Sequence, residues 1–243
     1  MASKKVLLYS LLSVTATMLL ALSACKDKKD DFTIDYAYEY YPLDSGHYVI
    51  YDVDSIVYRY SNPTHYYDTA HYQLKELLAD TFYDNLNELT YRLELYRRPN
   101  SSAPWGLDRV WYVKHSNNTI QKTEDDLKFI KLIFPPTQGT EWNGNQYLPA
   151  TDPYKDYKDW AYTITEANAP YNINGFAFDS TITVVEINDS SKIDKQLRKE
   201  VYAKNVGMIY QEWELLAKQT VTADWVTGPE SGFRIRMKLV EHN

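Results

Sequence analysis

Apolar and polar residues alternate along most of the chain from Tyr40 onward, a pattern typical of β-strands that bury one face. In the clearest case, Leu89, Tyr91, Leu93 and Leu95 occupy every second position. Comparable runs recur at 48–53, 72–82, 109–115, 119–123, 127–134, 160–165, 180–187, 208–216 and 233–240. We therefore predict one all-β globular domain over residues 39–243. Its expected architecture is a single antiparallel meander that forms a partial barrel or curved sandwich, with at most one short helix.

One segment, 190–205, departs from this pattern. Ser191 is placed to cap a helix, Leu197 and Val201 lie four residues apart, and Gly207 follows shortly after. These features predict one short helix or an ordered crossover.

The first strand changes phase in its middle. Val49, Tyr51 and Val53 share one face, whereas the apolar positions after Asp54-Ser55 are even-numbered, beginning with Ile56. Such a change of phase predicts a bulge or a bend between the two halves.

The first residues have the composition of an export signal. A basic start is followed by an apolar stretch, residues 6–21, which is too short and too rich in Ser and Thr for a permanent span of about 20 residues. The stretch ends in Leu22-Ser23-Ala24-Cys25, and Cys25 is the only cysteine in the chain. This tetrapeptide resembles the lipobox of bacterial lipoproteins, and an ordinary secretory signal is the alternative.

The lipobox resemblance implies a signal peptide at 1–24, a lipid on Cys25 and a flexible tether at 25–38. Several acyl chains on one residue anchor a protein stably to a membrane. The Lys/Asp run at 26–31 resembles the export tag of Bacteroidota surface lipoproteins, although a plain solvated linker has the same composition. We expect a location in the outer membrane, at the cell surface rather than on the periplasmic face.

Three blocks resemble a broad, uncharacterised family of exported Bacteroidota lipoproteins. They are the segment 41–51, which is similar to F-P-L-x-x-G-x-x-W-x-Y, then 134–142, similar to F-P-x-x-G-x-x-W, and 202–210, similar to Y-A-x-G-V-G-L-V. Asn205 replaces a glycine of the last block, and Asn also accepts left-handed backbone angles. The resemblance implies a β-rich lipoprotein with a curved sheet or partial barrel. It implies no catalytic residue. We also expect Gly46, Gly139 and Gly207 to adopt angles forbidden to other residues.

Charge and cysteine content exclude several functional classes. The chain has 26 Lys and Arg against 33 Asp and Glu, a formal charge of -7, which disfavours a partner bound through its phosphates. We expect no nucleic-acid partner. One cysteine rules out an internal disulfide framework and a cysteine-rich zinc site.

The sequence contains no established catalytic motif. Gly-x-Ser-x-Gly, a phosphate-binding glycine loop and HExxH are all missing from it. The sets His65/Asp68/His71 and Asp152/Asp156/Asp159 have compositions that a metal site uses, but solvated loops explain both better. We expect no enzyme, no metal and no cofactor, and a hydrolase that uses a carboxylate pair ranks third among the functions considered.

The excess of aromatic residues points instead to binding. The chain has 23 Tyr and 6 Trp, and these side chains provide large contact areas at interfaces. The candidate ligand-binding residues are Tyr58, Tyr60, Tyr66, Tyr67, Tyr154, Tyr157 and Trp160. The alternative is that these rings occupy solvated sheet faces, where Tyr is favoured. We expect a lipid-anchored envelope protein that binds a glycan, a peptide or an outer-membrane protein. A structural or assembly accessory of an outer-membrane complex is the second possibility.

Overall fold

The computed structural model describes residues 35–61, 64–155 and 157–243, without the side chains of residues 60, 61, 64 and 65. A 3₁₀ turn, Tyr38–Tyr40, precedes the strands. They are β1 (Tyr48–Ser61), β2 (Thr64–Tyr83), β3 (Leu89–Arg98), β4 (Gly106–Ser116), β5 (Thr119–Glu124), β6 (Leu127–Ile133), β7 (Glu141–Asn143), β8 (Ala161–Ile173), β9 (Phe176–Ser190), β10 (Asp194–Ala203), β11 (Gly207–Ala217) and β12 (Ser231–His242). A compact unit spans Tyr36–Asn243.

All twelve strands belong to one antiparallel sheet in the order β6-β5-β4-β3-β2-β1-β12-β11-β10-β9-β8-β7. Strands that are neighbours in sequence pair with each other except β6 and β7, which are the two ends of the sheet, and the pairing of β1 with β12 joins the two halves. The outermost strands meet where the Ile130 N–H donates to the Gly144 carbonyl at 2.8 Å. The Trp142 indole N–H donates to the Ile130 carbonyl, also at 2.8 Å. The sheet is therefore a nearly closed barrel, and the predicted all-β antiparallel meander is confirmed.

The helix predicted at 190–205 is wrong. Residues Asp194–Ala203 form β10, which pairs with both β9 and β11. The spacing of Leu197 and Val201 fits a helix, but four residues also return to the same face of a strand. The inward positions of β10 are occupied by Arg198 and Glu200, so the apolar alternation expected of a buried strand face is not visible there.

The bulge predicted at Asp54-Ser55 is also misplaced. Both residues keep regular partners on β2 and β12, and the irregularity against β12 lies between Ile50 and Tyr51. The change of phase has a different cause. Val53 faces the barrel core, whereas Tyr58 is buried on the outer face, where its hydroxyl and Arg234 contact each other. One strand therefore buries different faces along its length.

The predicted backbone angles are confirmed. Gly46, Gly139 and Gly207 have φ values of +91°, +84° and +90°. Asn205 is left-handed as well, with φ of +62°, in the turn between β10 and β11.

The segment that leads into β1 closes one end of the barrel. Tyr40 is buried, and its hydroxyl lies 2.7 Å from the Ser180 hydroxyl. The Asn205 N–H donates to the Glu39 carbonyl at 2.7 Å, and a ring nitrogen of His47 lies 3.0 Å from the Val206 carbonyl. These contacts make this segment the floor of the barrel. Within the described residues we find no helix with the length and apolar content needed to cross a membrane.

Candidate functional site

The interior of the barrel contains a cavity of about 250 Å³, which we call the chamber. One wall is apolar and is formed by β1, β2, β3, β11 and β12. Its side chains are Val49, Leu74, Leu78, Leu93, Leu95, Met208, Ile235 and Met237. The opposite wall is charged and is formed mainly by β5, β6 and β10. Its side chains are Lys122, Glu124, Lys131, Arg198 and Glu200, with Glu76 beside them.

An ion cluster joins the strands on either side of the barrel seam. Lys131 on β6 forms ion pairs with Glu186 on β9 and with Glu200 on β10, the second at 2.7 Å. Arg198 Nε lies 3.1 Å from the Glu186 carboxylate, an ionic contact without good hydrogen-bond alignment. Because the seam has little backbone pairing, these side chains supply much of the bonding across it.

A second cluster continues the first towards the opening. Lys122 Nζ lies 3.1 Å from Glu76 and 3.3 Å from Glu124. Arg198 connects the two clusters, because its guanidinium lies 4.0 Å from Glu124. The charged wall is thus one continuous network of alternating cations and carboxylates.

Burial and neighbouring charges shift the pKa values of these groups in opposite directions. Burial raises the pKa of Glu200, but Lys131 and Arg198 outweigh it and hold that pKa at about 2. For Glu186 burial dominates over the attraction of the same two cations, and its pKa is raised. Burial lowers the pKa of Lys122, yet Glu76 and Glu124 reverse the shift and raise it. The two carboxylates that share Lys131 therefore have pKa values displaced in opposite directions.

Aromatic and charged side chains surround the opening of the chamber. The Arg97 guanidinium carbon lies 3.7 Å from the centroid of the Tyr72 ring. Lys122 Nζ lies 4.6 Å from the Trp111 ring, and Arg198 lies at the same distance from the Trp213 ring. Arg97, Asp108 and Arg109 are the exposed members of the lining, so they mark where the chamber meets solvent.

The seven aromatic residues predicted to bind a ligand lie elsewhere. They fall into one group on the β1–β2 hairpin and another in the segment before β8, and four strands separate β1 from β8 in the sheet. Tyr66 and Tyr67 are exposed, whereas Tyr58 and Trp160 are buried. Tyr154 and Tyr157 are half-buried, and the side chain of Tyr60 lies outside the described residues. None of the six described side chains lines the chamber. Cys25 also lies outside the described residues.

Sequence reasoning missed the chamber because its charged residues look like surface residues. The sequence pattern singles out none of Lys122, Lys131, Arg198 and Glu200, and it predicts a helix or crossover for the segment that contains the last two. The available signal was weak: Arg198, Glu200 and Tyr202 alternate in β10 and so share one face. Alternation alone does not say whether that face is inside or outside.

The described residues contain no group of three His, Cys, Asp or Glu arranged to hold a metal ion. Comparisons with known proteins found no matching family model, curated protein or solved structure.

Proposed function

We propose that this chain is a lipid-anchored envelope protein whose barrel binds a small molecule in the chamber. The observation that carries the proposal is the amphipathic lining, with an apolar wall facing a charged one and an opening at Arg97. Ligand sites are concave and mostly apolar, with a few polar groups that fix orientation. Anchoring through Cys25 at the outer surface of the outer membrane is part of the same proposal and rests on the lipobox resemblance.

Hydrogen-bonded tyrosines in the barrel wall support a binding role. Tyr51 donates its hydroxyl hydrogen to the Met208 carbonyl at 2.9 Å, and both residues line the chamber. Tyr202 is likewise buried and bonded to Glu200. Side chains held in this way form a preformed site, which lowers the entropic cost of binding.

Methyl NMR of the full-length chain with phenol as probe tests this function. Phenol is a neutral ring with one hydroxyl, small enough for the chamber. We expect phenol to change the methyl chemical shifts of Leu93, Leu95 and Met237 but not those of the exposed Leu86. Leu74→Trp fills the chamber and should abolish the shifts, whereas Leu89→Trp, on the exposed surface, should not. Met237→Phe replaces Leu74→Trp if that variant does not fold. Equal shifts at Leu86 and the chamber methyls, or no shifts at all, would rule out the chamber as a binding site.

A strand-pairing role in a larger assembly is the second candidate. The β2 strand pairs with β1 from Thr64 to Leu77, but β3 covers it only from Gln73 onward. No other described strand pairs with residues 66–72, which include the exposed Tyr66 and Tyr67. An uncovered strand edge is a template for a partner strand. Amide hydrogen exchange there should be slower in isolated outer membranes than in the purified chain, and equal rates would argue against this role.

A hydrolase with a carboxylate pair remains the third proposal. Glu186 and Glu200 form a pair with divergent pKa values, which acid–base catalysis uses. However, only Glu200 lines the chamber, and the Glu186 side chain has no exposed area. Binding therefore accounts for the geometry better than catalysis does.

A further inference from the structure

We infer that the ligand of the chamber is a neutral, polyhydroxylated ring, that is, a single sugar unit of a carbohydrate. This inference rests on the proposed binding function and adds the chemical class of the ligand. Four properties of the lining lead to it: balanced charge, mixed donors and acceptors, an unpartnered hydroxyl, and a small volume between apolar and polar surfaces.

The formal charges around the chamber cancel once Glu186, which lies behind the lining, is counted with it. Five basic side chains face the chamber, and they are Arg97, Arg109, Lys122, Lys131 and Arg198. Five carboxylates balance them, four in the lining and Glu186 behind it, and they are Glu76, Asp108, Glu124, Glu200 and Glu186. A charged ligand at the charged wall would have to break a buried ion pair and leave one member uncompensated, which is costly. A neutral ligand leaves the pairs intact.

The charged wall offers hydrogen-bond donors and acceptors in alternation. Lys122 and Arg198 donate, Glu76 and Glu124 accept, and Gln211 can do both. A hydroxyl group also donates and accepts, so a ring with several hydroxyls matches such a wall. A ligand with only acceptors, such as a phosphate or carboxylate, would leave the carboxylates facing it without a donor.

Tyr41 contributes a hydroxyl group to the lining of the chamber. Its ring lines the chamber, and its hydroxyl has no hydrogen-bond partner among the described residues; this oxygen is not one of the fully buried polar atoms, so it faces the open space of the chamber. The nearby charges include Lys122, Glu76 and Glu124. An accessible hydroxyl of this kind can form a hydrogen bond with water or with a bound ligand. A ligand hydroxyl that reached the floor would supply the partner that the protein does not.

The size and shape of the chamber fit one ring. Its volume of about 250 Å³ lies below the range of about 300–1,000 Å³ typical of drug-sized ligands. A sugar ring has C–H faces and a hydroxyl edge, so one face would pack on Leu93 and Met237 while the edge meets the charged wall. The rings of Trp111 and Trp213 at the opening provide further flat surface for the next sugar unit of a longer carbohydrate.

The test is a methyl-NMR titration of the full-length chain with glucose, galactose, mannose and N-acetylglucosamine. Glucuronate, glucosamine and the zwitterion Leu-Leu serve as charged probes, and phenol serves as the probe of the chamber itself. We expect at least one neutral sugar to shift the methyls of Leu93 and Met237 and to bind more tightly than its charged counterpart. Leu74→Trp should abolish the shifts.

Tyr41→Phe removes the floor hydroxyl and keeps the ring. It should weaken sugar binding about threefold to tenfold, the effect of one lost hydrogen bond. The matched control, Tyr67→Phe on the exposed hairpin, should leave binding unchanged. Equal effects of the two variants would overturn the role of Tyr41 and with it the orientation of the ring.

The outcomes separate this inference from the proposed function. Shifts with phenol but with no sugar, or binding of charged probes alone, would overturn the sugar class and leave the chamber as a binding site. Sugar binding that survives Leu74→Trp would place the sugar outside the chamber and overturn the inference. Failure of phenol and all sugars together would overturn both.

Discussion

Lys131 on β6 and Glu200 on β10 form an ion pair of 2.7 Å across the interior of the barrel. Their strands lie on opposite sides of the seam, where β6 meets the segment after β7 through the backbone hydrogen bond from Ile130 to Gly144. Barrel closure and the charged wall of the chamber therefore depend on the same side chains.

Replacing Lys131 with Met should destabilise the barrel strongly. The substitution leaves Glu186 and Glu200 without their shared cation in a buried site, a change that costs about 3–5 kcal/mol. Urea unfolding followed by circular dichroism measures the free energy of unfolding. The matched control is Lys155→Met, whose ion pair with Asp152 is exposed and contributes about 0–1 kcal/mol. An equal loss of unfolding free energy in the two variants would contradict a structural role for the buried cluster.

Acid should lower the stability of the folded chain because it protonates Glu200. The pKa of this group is about 2 in the folded chain and 4.5 in its unperturbed state. A lowered folded pKa stabilises the protein above pH 4.5, and this contribution is lost as the pH falls from about 4.5 towards 2. The unfolding temperature of the wild type should therefore fall progressively as the pH is lowered from about 4.5 towards 2.

The variant that isolates this effect is Glu200→Gln, which cannot titrate. Its unfolding temperature should depend less on pH between 4.5 and 2 than that of the wild type. Glu186 acts in the opposite direction, because its raised pKa favours the folded state at lower pH. An unchanged slope in the Glu200→Gln variant would assign the acid sensitivity to other carboxylates.

Gly232 should tolerate no side chain. It lies in β12 opposite Leu216, has φ of +105°, and a Cβ atom placed on it would lie 1.9 Å from the Leu215 carbonyl oxygen. Gly232→Ala must therefore separate β11 from β12 locally, and we expect a loss of more than about 2 kcal/mol in unfolding free energy. Gly175→Ala is the comparison, because its φ is also positive but the space around it is open. There we expect only the backbone strain of about 1–2 kcal/mol. A loss at Gly232 no larger than at Gly175 would contradict the close contact.

The proposed lipid anchor predicts that Cys25→Ser releases the protein from the membrane. The thiol is the only possible site for a thioether-linked lipid, since the chain has one cysteine. Metabolic labelling with a radioactive fatty acid, followed by fractionation, should find label and membrane association in the wild type only. Protease treatment of intact cells then tests surface display. Label that persists in the Cys25→Ser variant would place the lipid elsewhere.

The sequence by itself determined the local character of the chain. Alternation in runs such as Leu89–Leu95 depends only on the geometry of a strand, in which successive side chains point to opposite faces. Turns behave in the same way, since the left-handed angles of Gly46 and Asn205 follow from residue type. An antiparallel, all-β fold was predictable for this reason.

The tertiary structure alone decided which polar residues lie inside. Lys128 and Lys131 both belong to β6 and lie three residues apart, so they point to opposite faces of the strand. Lys128 contacts the exposed Tyr147 ring on the outside, whereas Lys131 is buried between Glu186 and Glu200. The partners that make a buried lysine tolerable lie on β9 and β10, 55 and 69 residues further along the chain. Only barrel closure brings them together, and local pattern carries no information about it.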